Sequence, residues 1–275
     1  MKYKQSWESI TDEMGYWVDM DNPYETYNNK YIESVWCVLK KLHEKKLLYK
    51  GHTIQPFSPK AGTGLSTHEL NQPGCYKNVK DTSAVAKFKI INTDLSRFLF
   101  SKTTKDIYFI AWTTTPWPLP SNTALAVGKK ISYTLIETVN QYTGDIIAII
   151  LAKELIGSFF KKEDENRDLN NYNVGEKNLP YFIIDEFKGK QLNNIKYVQL
   201  LKYALPENGD SFKVLIADFV TTEDGTGIVH LAPSFGADDN RVAKKNGIGS
   251  LTLVDEQGRF TKEVHDFYGQ YVKDD

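Results

Sequence analysis

Cysteine is nearly missing from this 275-residue chain: Cys37 and Cys75 are its two cysteines, and neither sits in a Cys-x-x-Cys spacing. That excludes a disulfide framework and the usual cysteine zinc knuckle. Long apolar runs are missing too, since the longest, Ile146 to Ala152, falls far short of the roughly 20 residues a membrane helix needs. Met1 to Trp7 lacks the charged-then-apolar layout of a secretory signal, so a soluble, cytoplasmic protein with no membrane partner is expected. Net charge is close to absent as well, with 34 basic and 35 acidic side chains. Any nucleic-acid contact must then come from a local patch, not a global field.

Several enzyme signatures are also lacking. There is no Gly-x-x-x-x-Gly-Lys-Ser/Thr phosphate loop, no Gly-x-Gly-x-x-Gly, no Gly-x-Ser-x-Gly elbow and no His-Glu-x-x-His. Gly62-Thr63-Gly64 and Gly225-Thr226-Gly227 stop before a third glycine and read, by themselves, as turns. Internal repeats and long low-complexity tracts are absent. With 41% hydrophobic and 25% charged residues, however, the chain has the composition of a packed protein and not of a disordered one.

From Asn29 to Leu48, Tyr31, Ile32, Val35, Trp36, Leu39, Leu42 and Leu47 recur at helical spacing, which predicts an amphipathic helix stopped by Gly51. The lysines of its last turn suit the negative end of the helix dipole, and RNA contact is the alternative use for them. Gly51 to Lys80 carries Pro56, Pro59, Gly62, Gly64, Pro73 and Gly74 and reads as a linker. Beyond Ser83 the texture is β-rich. Strands are expected over Ser83–Ile91, Asp106–Thr115, Ser132–Thr138, Ile146–Leu151, Lys196–Leu201 and Phe212–Val220. Lys153–Phe160 reads as a short helix, and Lys161–Asn173 as a solvated loop.

Two peptides hold candidate chemistry. Trp112-Thr113-Thr114-Thr115-Pro116-Trp117-Pro118-Leu119-Pro120 follows an apolar strand, and its three prolines deny the ladder donors, so the threonines fall at a strand end. There hydroxyls and freed backbone groups can hold a water or a polar substrate group, although threonine is also an ordinary strand residue. Gly225-Thr226-Gly227-Ile228-Val229-His230-Leu231-Ala232-Pro233-Ser234-Phe235-Gly236-Ala237-Asp238-Asp239 reads as a turn, a buried strand bearing a histidine, a loop, and an acidic entry into a helix over Asn240–Asn246. Either aspartate can be a helix cap, and His230 can be a satisfied core histidine.

Together these peptides resemble the two signature segments of the editing domain of isoleucyl-tRNA synthetase, a large insertion in a class I enzyme. Gly15-Tyr16-Trp17-Val18-Asp19, Tyr31-Ile32-Glu33-Ser34-Val35-Trp36 and Leu48-Tyr49-Lys50-Gly51 resemble the segment before that insertion, and Gly269-Gln270-Tyr271-Val272 the return strand. The resemblance implies a helical and linker segment over residues 1–80 and an editing domain over 81–275. The fold class it implies is α/β: a compact, mostly β, barrel-like domain with peripheral helices. Pro118 stands where the family commonly has another threonine, and Ser58-Pro59-Lys60-Ala61 where some relatives carry Cys-x-x-Cys, so no zinc is expected there. The His-Ile-Gly-His and Lys-Met-Ser-Lys-Ser signatures of the synthetic site are absent, so the chain is expected not to activate amino acids.

The implied activity is hydrolytic proofreading of valyl-tRNA(Ile), and of valyl-adenylate, with the tRNA 3′ end and the rest of the synthetase as partners and no cofactor or metal. A pocket that accepts isoleucine cannot strongly reject valine, the standard instance of this limit, so a second site must destroy the error. Thr113, Thr114, Thr115 and Asp239 are the candidate catalytic residues, with Asp239 receiving the substrate's α-ammonium. His230 is expected to narrow the side-chain wall, Asn122 to contact the terminal ribose, and Trp117 to bind substrate. Lys87, Lys89, Arg97, Lys102 and Lys105 are the candidate phosphate contacts. The alternatives are an editing domain of valyl or leucyl type and a non-catalytic tRNA-binding module. The Thr-Thr-Thr-Pro-Trp string argues against the former.

Overall fold

A computed structural model describes residues 3–51, 53–206 and 209–273. Met1 and Lys2 of the Met1–Trp7 stretch, and His52 of the Gly51–Lys80 stretch, lie outside the described residues. The chain packs as two units, residues 1–52 and 53–275.

In the first unit, α1 (Lys4–Glu13) and α2 (Asn29–Glu44) are amphipathic helices. The Asn28 side chain accepts the Lys30 N–H at 2.9 Å, which satisfies one of the donors a helix start leaves unpaired. The helix ends before Leu48, and Gly51 is not what stops it. Lys46 adopts a left-handed φ of 57°, its N–H reaches the His43 carbonyl at 2.8 Å, and the Leu47 N–H reaches that of Leu42 at 2.9 Å. This is a Schellman ending made without glycine.

The second unit opens with a two-stranded ribbon, β1 (Phe57–Ser58) and β2 (Thr63–Gly64), and a short helix α3 (Thr67–Leu70) held by a Ser66/Glu69 capping box. The Ser58–Ala61 stretch is the turn of that ribbon, with the Gly62 N–H on the Ser58 carbonyl at 2.8 Å. Next come β3 (Ala84–Lys89), α4 (Arg97–Phe100), β4 (Ile107–Thr113), β5 (Ala124–Val127), β6 (Ser132–Val139) and β7 (Ile146–Ala152). The chain continues through α5 (Ile156–Phe159), β8 (Tyr181–Lys188), β9 (Lys213–Ile216), β10 (Ile228–Leu231) and α6 (Ala237–Lys245).

One sheet runs β3-β4-β7-β6-β8, with β4 and β7 parallel and the other neighbours antiparallel. A second runs β10-β5-β9, with β5 and β9 parallel. Phe88, Phe109, Leu135 and Ile150 of the first sheet and Leu125, Val127, Val214 and Ile228 of the second share one core. Burying these faces against each other is what joins the layers.

The sheet-dominated α/β architecture with peripheral helices agrees with expectation, but the barrel does not close. Pro116, Pro118 and Pro120 carry no N–H, so beyond Thr113 the chain cannot extend β4 as a continuous ladder toward the second sheet. Lys196–Leu201 is not a strand either: it offers only single bridges, at Lys196 to Lys213 and at Tyr197 to Ile90. Lys161–Asn173 is more than solvated loop. It holds two turns of 3₁₀ helix, buries Leu169 and Asp164, and ties Arg167 to Asp164 at 3.0 Å and to Glu176 at 2.7 Å. Among the described residues, no helix is long and apolar enough to cross a membrane.

Candidate functional site

Strand β4 ends at Thr113 and gives way to a bend stapled by that residue's own hydroxyl. Thr113 Oγ1 accepts the Thr115 N–H at 3.1 Å and donates to the Thr115 carbonyl at 3.2 Å. A threonine can offer its backbone neighbours these bonds where the ladder has run out. Thr113 is buried and its hydroxyl is committed to the bend, whereas Thr114 and Thr115 are exposed.

The turn before β10 uses the same device. Thr226 Oγ1 accepts the Ile228 N–H at 3.4 Å and donates to the Ile228 carbonyl at 3.2 Å. The glycines on either side of it are both required. Gly225 and Gly227 have φ of 75° and 71°, and a Cβ on Gly227 would lie 2.4 Å from that of Ala152. The turn can therefore press against the end of β7, where the Ala152 N–H meets the Thr226 carbonyl at 2.8 Å.

These two bends enclose a cavity of about 350 Å³, within the size range of small-ligand sites. Thr113, Thr114 and Thr115 line it from one peptide, and His230 and Asp239 from the other. Five of the seven residues singled out in the sequence thus meet around one hollow. His230 is 9% exposed, and its Nδ1 is buried without a hydrogen-bond partner. Burial pushes its pKa down to about 4, so the ring is neutral at pH 7.

Asp239 stands in the first turn of α6 but is not its cap. The N-cap is Gly236, and the Asp239 carboxylate turns back to accept the Ala232 N–H at 2.9 Å through Oδ2. Burial raises its pKa above the ordinary aspartate value, the Ala232 bond acts in the opposite direction, and the Asp238 charge adds to the rise. Arg241 pairs with Asp238 at 2.7 Å, and among the described residues no basic group contributes to the environment of Asp239. A half-buried carboxylate with no ion-pair partner among the described residues is a natural partner for a ligand ammonium.

The other two candidates go elsewhere. Asn122 is buried, and both ends of its amide are engaged within the fold: Nδ2 donates to the Ala124 carbonyl at 2.8 Å and the Leu231 carbonyl at 3.3 Å, while Oδ1 accepts from the Tyr197 hydroxyl at 2.7 Å. It ties the start of β5 to the end of β10 and does not line the cavity. Trp117 packs edge-on against Phe235, with ring centres 4.9 Å apart, and lines a second hollow of about 540 Å³ with Phe57, Ser234, Val254 and Tyr271. Pro116 and Pro118 flank Trp117 and redirect the chain away from the threonine bend.

Sequence reasoning missed Phe219, Thr221 and Asp224, which also line the cavity. Their available signal was position, just ahead of the Gly225-Thr226-Gly227 turn. Of the basic candidates, Lys89 pairs with Asp106 at 2.6 Å, Lys102 with Asp185 at 3.3 Å and Arg97 with Asp94. Lys87 lies over the Tyr108 ring at 5.1 Å, and Lys105 lines a separate hollow with Glu137 and Asp168. Among the described residues, no three His, Cys, Asp or Glu side chains converge as metal ligands.

Among solved structures, a crystal structure of GlLeuRS-CP1 overlaps 70% of this chain and 91% of its own at a TM-score of 0.48 and 16% identity. Among curated proteins, the isoleucine–tRNA ligase of Cytophaga hutchinsonii is 55% identical across 100% of this chain and 25% of its own length. That of Porphyromonas gingivalis is 52% identical across 98% of this chain and 23% of its own, and that of Clostridium tetani 43% identical across 98% and 23%. The chain therefore spans about a quarter of the length of the curated relatives it matches. The sequence model of tRNA synthetases class I (I, L, M and V) matches residues 1–224, and the chain belongs to that family.

Proposed function

We propose that this chain is the proofreading part of an isoleucine–tRNA ligase and that it hydrolyses valyl-tRNA(Ile), and valyl-adenylate, in the cytoplasm. Residues 81–275 carry the hydrolytic work and residues 1–80 lead into them. The partners are the 3′ end of the tRNA and the remainder of the synthetase. The observation that carries this reading is the meeting of the Thr113–Thr115 bend, His230 and Asp239 around one small cavity.

The Asp239 carboxylate receives the α-ammonium of the bound valine, fixing the ester carbonyl against the threonine bend. His230, uncharged and nearly buried, forms a wall that admits the shorter aliphatic side chain and excludes isoleucine. Thr114 and Thr115, held in place by the Thr113 staple, orient the attacking water. The water oxygen bonds to the ester carbonyl carbon, the bond from that carbon to the ribose oxygen breaks, and the ribose oxygen takes up the proton. Free valine and uncharged tRNA result. An aminoacyl ester is already activated, so positioning and hydrogen bonds to the developing oxyanion supply the catalysis.

The test is incubation of the chain with isoleucine tRNA charged with valine or with isoleucine, following release of each amino acid. Selective release of valine is expected. Equal release of both removes the sieve, and binding of the tRNA without release of either turns the chain into a binding module. Threonyl-tRNA as a third substrate distinguishes an editor of valyl type.

A further inference from the structure

Helix α6 starts without the side chain that helix starts usually carry. Its N-cap is Gly236, and no side-chain cap bond is made there. Serine, threonine, aspartate or asparagine would stabilise the first turn at such a position. Backbone conformation does not explain the glycine: φ of −119° and ψ of 131° lie in the extended region open to any residue. The space beside it does. A Cβ built on Gly236 would stand 2.6 Å from Asp239 Cγ, 2.8 Å from Oδ2 and 2.9 Å from Oδ1, all well inside van der Waals contact.

We propose that Gly236 is a positioning residue: its missing side chain is the room into which the Asp239 carboxylate folds, and that room lets Oδ2 reach the Ala232 N–H. This rests on the reading of Asp239 as the ammonium anchor. The surrounding loop is braced independently of that carboxylate. The Phe235 N–H meets the Ala232 carbonyl at 2.9 Å, the Asn240 N–H meets the Gly236 carbonyl at 2.9 Å, and Asn240 Nδ2 donates to the Pro233 carbonyl at 2.9 Å. A methyl group at 236 therefore meets a fixed backbone on one side and a short, rotatable carboxylate on the other. The carboxylate is what gives way, by swinging to another staggered rotamer. It then leaves both the Ala232 N–H and its place in the cavity. The loop keeps its shape, and the anchor is lost.

The variant Gly236→Ala tests this in the 275-residue chain. In the ligand-free wild type, the Ala232 amide NMR signal follows the titration of the Asp239 carboxyl group, and in Gly236→Ala that dependence disappears. Melting temperature falls only modestly, because the lower entropy of the unfolded chain with alanine offsets part of the cost of leaving the buried Ala232 N–H without the carboxylate. With valyl-tRNA(Ile), KM rises and kcat/KM falls about tenfold or more, the loss expected for a hydrogen bond to a charged group, while kcat falls less. On an Asp239→Ala background, Gly236→Ala has no further effect, since the group it displaces is gone.

The proposal is overturned if the Ala232 amide of Gly236→Ala still titrates with Asp239 and KM stays within a factor of two. It is equally overturned if the two substitutions add independently. Should Gly236→Ala fail to fold, the double variant decides: folding restored by Asp239→Ala supports a clash with the carboxylate, and failure of both overturns it. A wild type that releases no valine defeats the proposed function, whereas the amide titration still judges the role of Gly236.

Discussion

The same two peptides shape two hollows of opposite character. One takes Thr113, Thr114 and Thr115 from the first peptide and His230 and Asp239 from the second. The other takes Trp117 from the first and Ser234 and Phe235 from the second. The second is the larger, at about 540 against about 350 Å³, and Phe57, Trp117, Phe235 and Tyr271 stand in its walls. Size is therefore a poor guide to where the chemistry lies. What marks the smaller hollow is convergence: two hydroxyl-stapled bends, a neutral buried imidazole and a carboxylate with a raised pKa. The first peptide changes hollow once, at Pro116, whereas the second leaves the smaller hollow after His230, gives Ser234 and Phe235 to the larger one, and returns with Asp239.

Removing the charge of the smaller hollow is the strongest way to break the contrast. Asp239→Ala is expected to lower kcat/KM for valine release roughly 100-fold, the upper range for a lost charge-assisted bond. Tyr271→Ala in the larger hollow is expected to lower the melting temperature and leave valine release within about twofold. In the wild type, KM should rise as pH falls through the Asp239 pKa, and this rise should begin at a higher pH than an ordinary aspartate would give, because burial raises that pKa. Steady-state kinetics across pH read both effects.

Next in size is the acid sensitivity that His230 imposes on stability. Its folded pKa of about 4 lies below the unfolded value of 6.5, so between these the unfolded chain binds more protons and stability rises with pH. At about 1.4 kcal/mol per pH unit the window spans about 3 kcal/mol, part of which the raised Asp239 pKa offsets at its acid end. Urea unfolding of the wild type from pH 4 to 7 should show that slope, and His230→Gln should lose most of it. An unchanged slope in the variant would assign the acid sensitivity to another group.

A smaller effect separates the threonines. Thr113→Val removes both bonds of the staple and leaves the Thr115 N–H unpaired, at a cost of about 1 to 2 kcal/mol in unfolding free energy. Thr114 makes no such bonds, so Thr114→Val should slow valine release with stability almost unchanged. Denaturant midpoints set beside single-turnover rates distinguish the two outcomes.

The threonine bend, the histidine strand and the acidic helix entry were readable because each announces itself within a few residues: prolines that end a ladder, glycines around a threonine, aspartates ahead of a helix. Strand β5 was not. Ala124–Val127 is buried at all four positions and has no alternation to detect. Strand β8 was missed for the opposite reason, since Tyr181–Lys188 mixes partly exposed apolar and charged residues along a sheet edge. The expectation that Asn122 contacts the terminal ribose rests on the resemblance alone. Only the fold brings Tyr197 and Leu231, 75 and 109 residues away, to consume its amide. Helix entries favour aspartate as a cap, so the spacing alone leaves Asp239 between cap and ammonium anchor, and the turn back to Ala232 depends on a loop whose shape the sequence does not state.

The weakest expected effect concerns RNA, and it depends on which cations are already engaged. Of the five basic residues considered, Lys89, Arg97 and Lys102 each hold a carboxylate, which leaves Lys87 and Lys105 as the members of the set without an ion pair among the described residues. For a single-stranded 3′ end, each phosphate contact contributes about −0.7 to the slope of log affinity against log salt, so two contacts give about −1.4 and five about −3.5. Fluorescence anisotropy of a labelled tRNA titrated at increasing salt should yield the shallower value from these residues. Lys87→Ala should reduce it by about 0.7 if that lysine meets a phosphate. A slope near −3.5 that falls in Lys89→Ala would mean that the tRNA competes successfully with Asp106, and that the ion pairs around β3 and β4 open on binding.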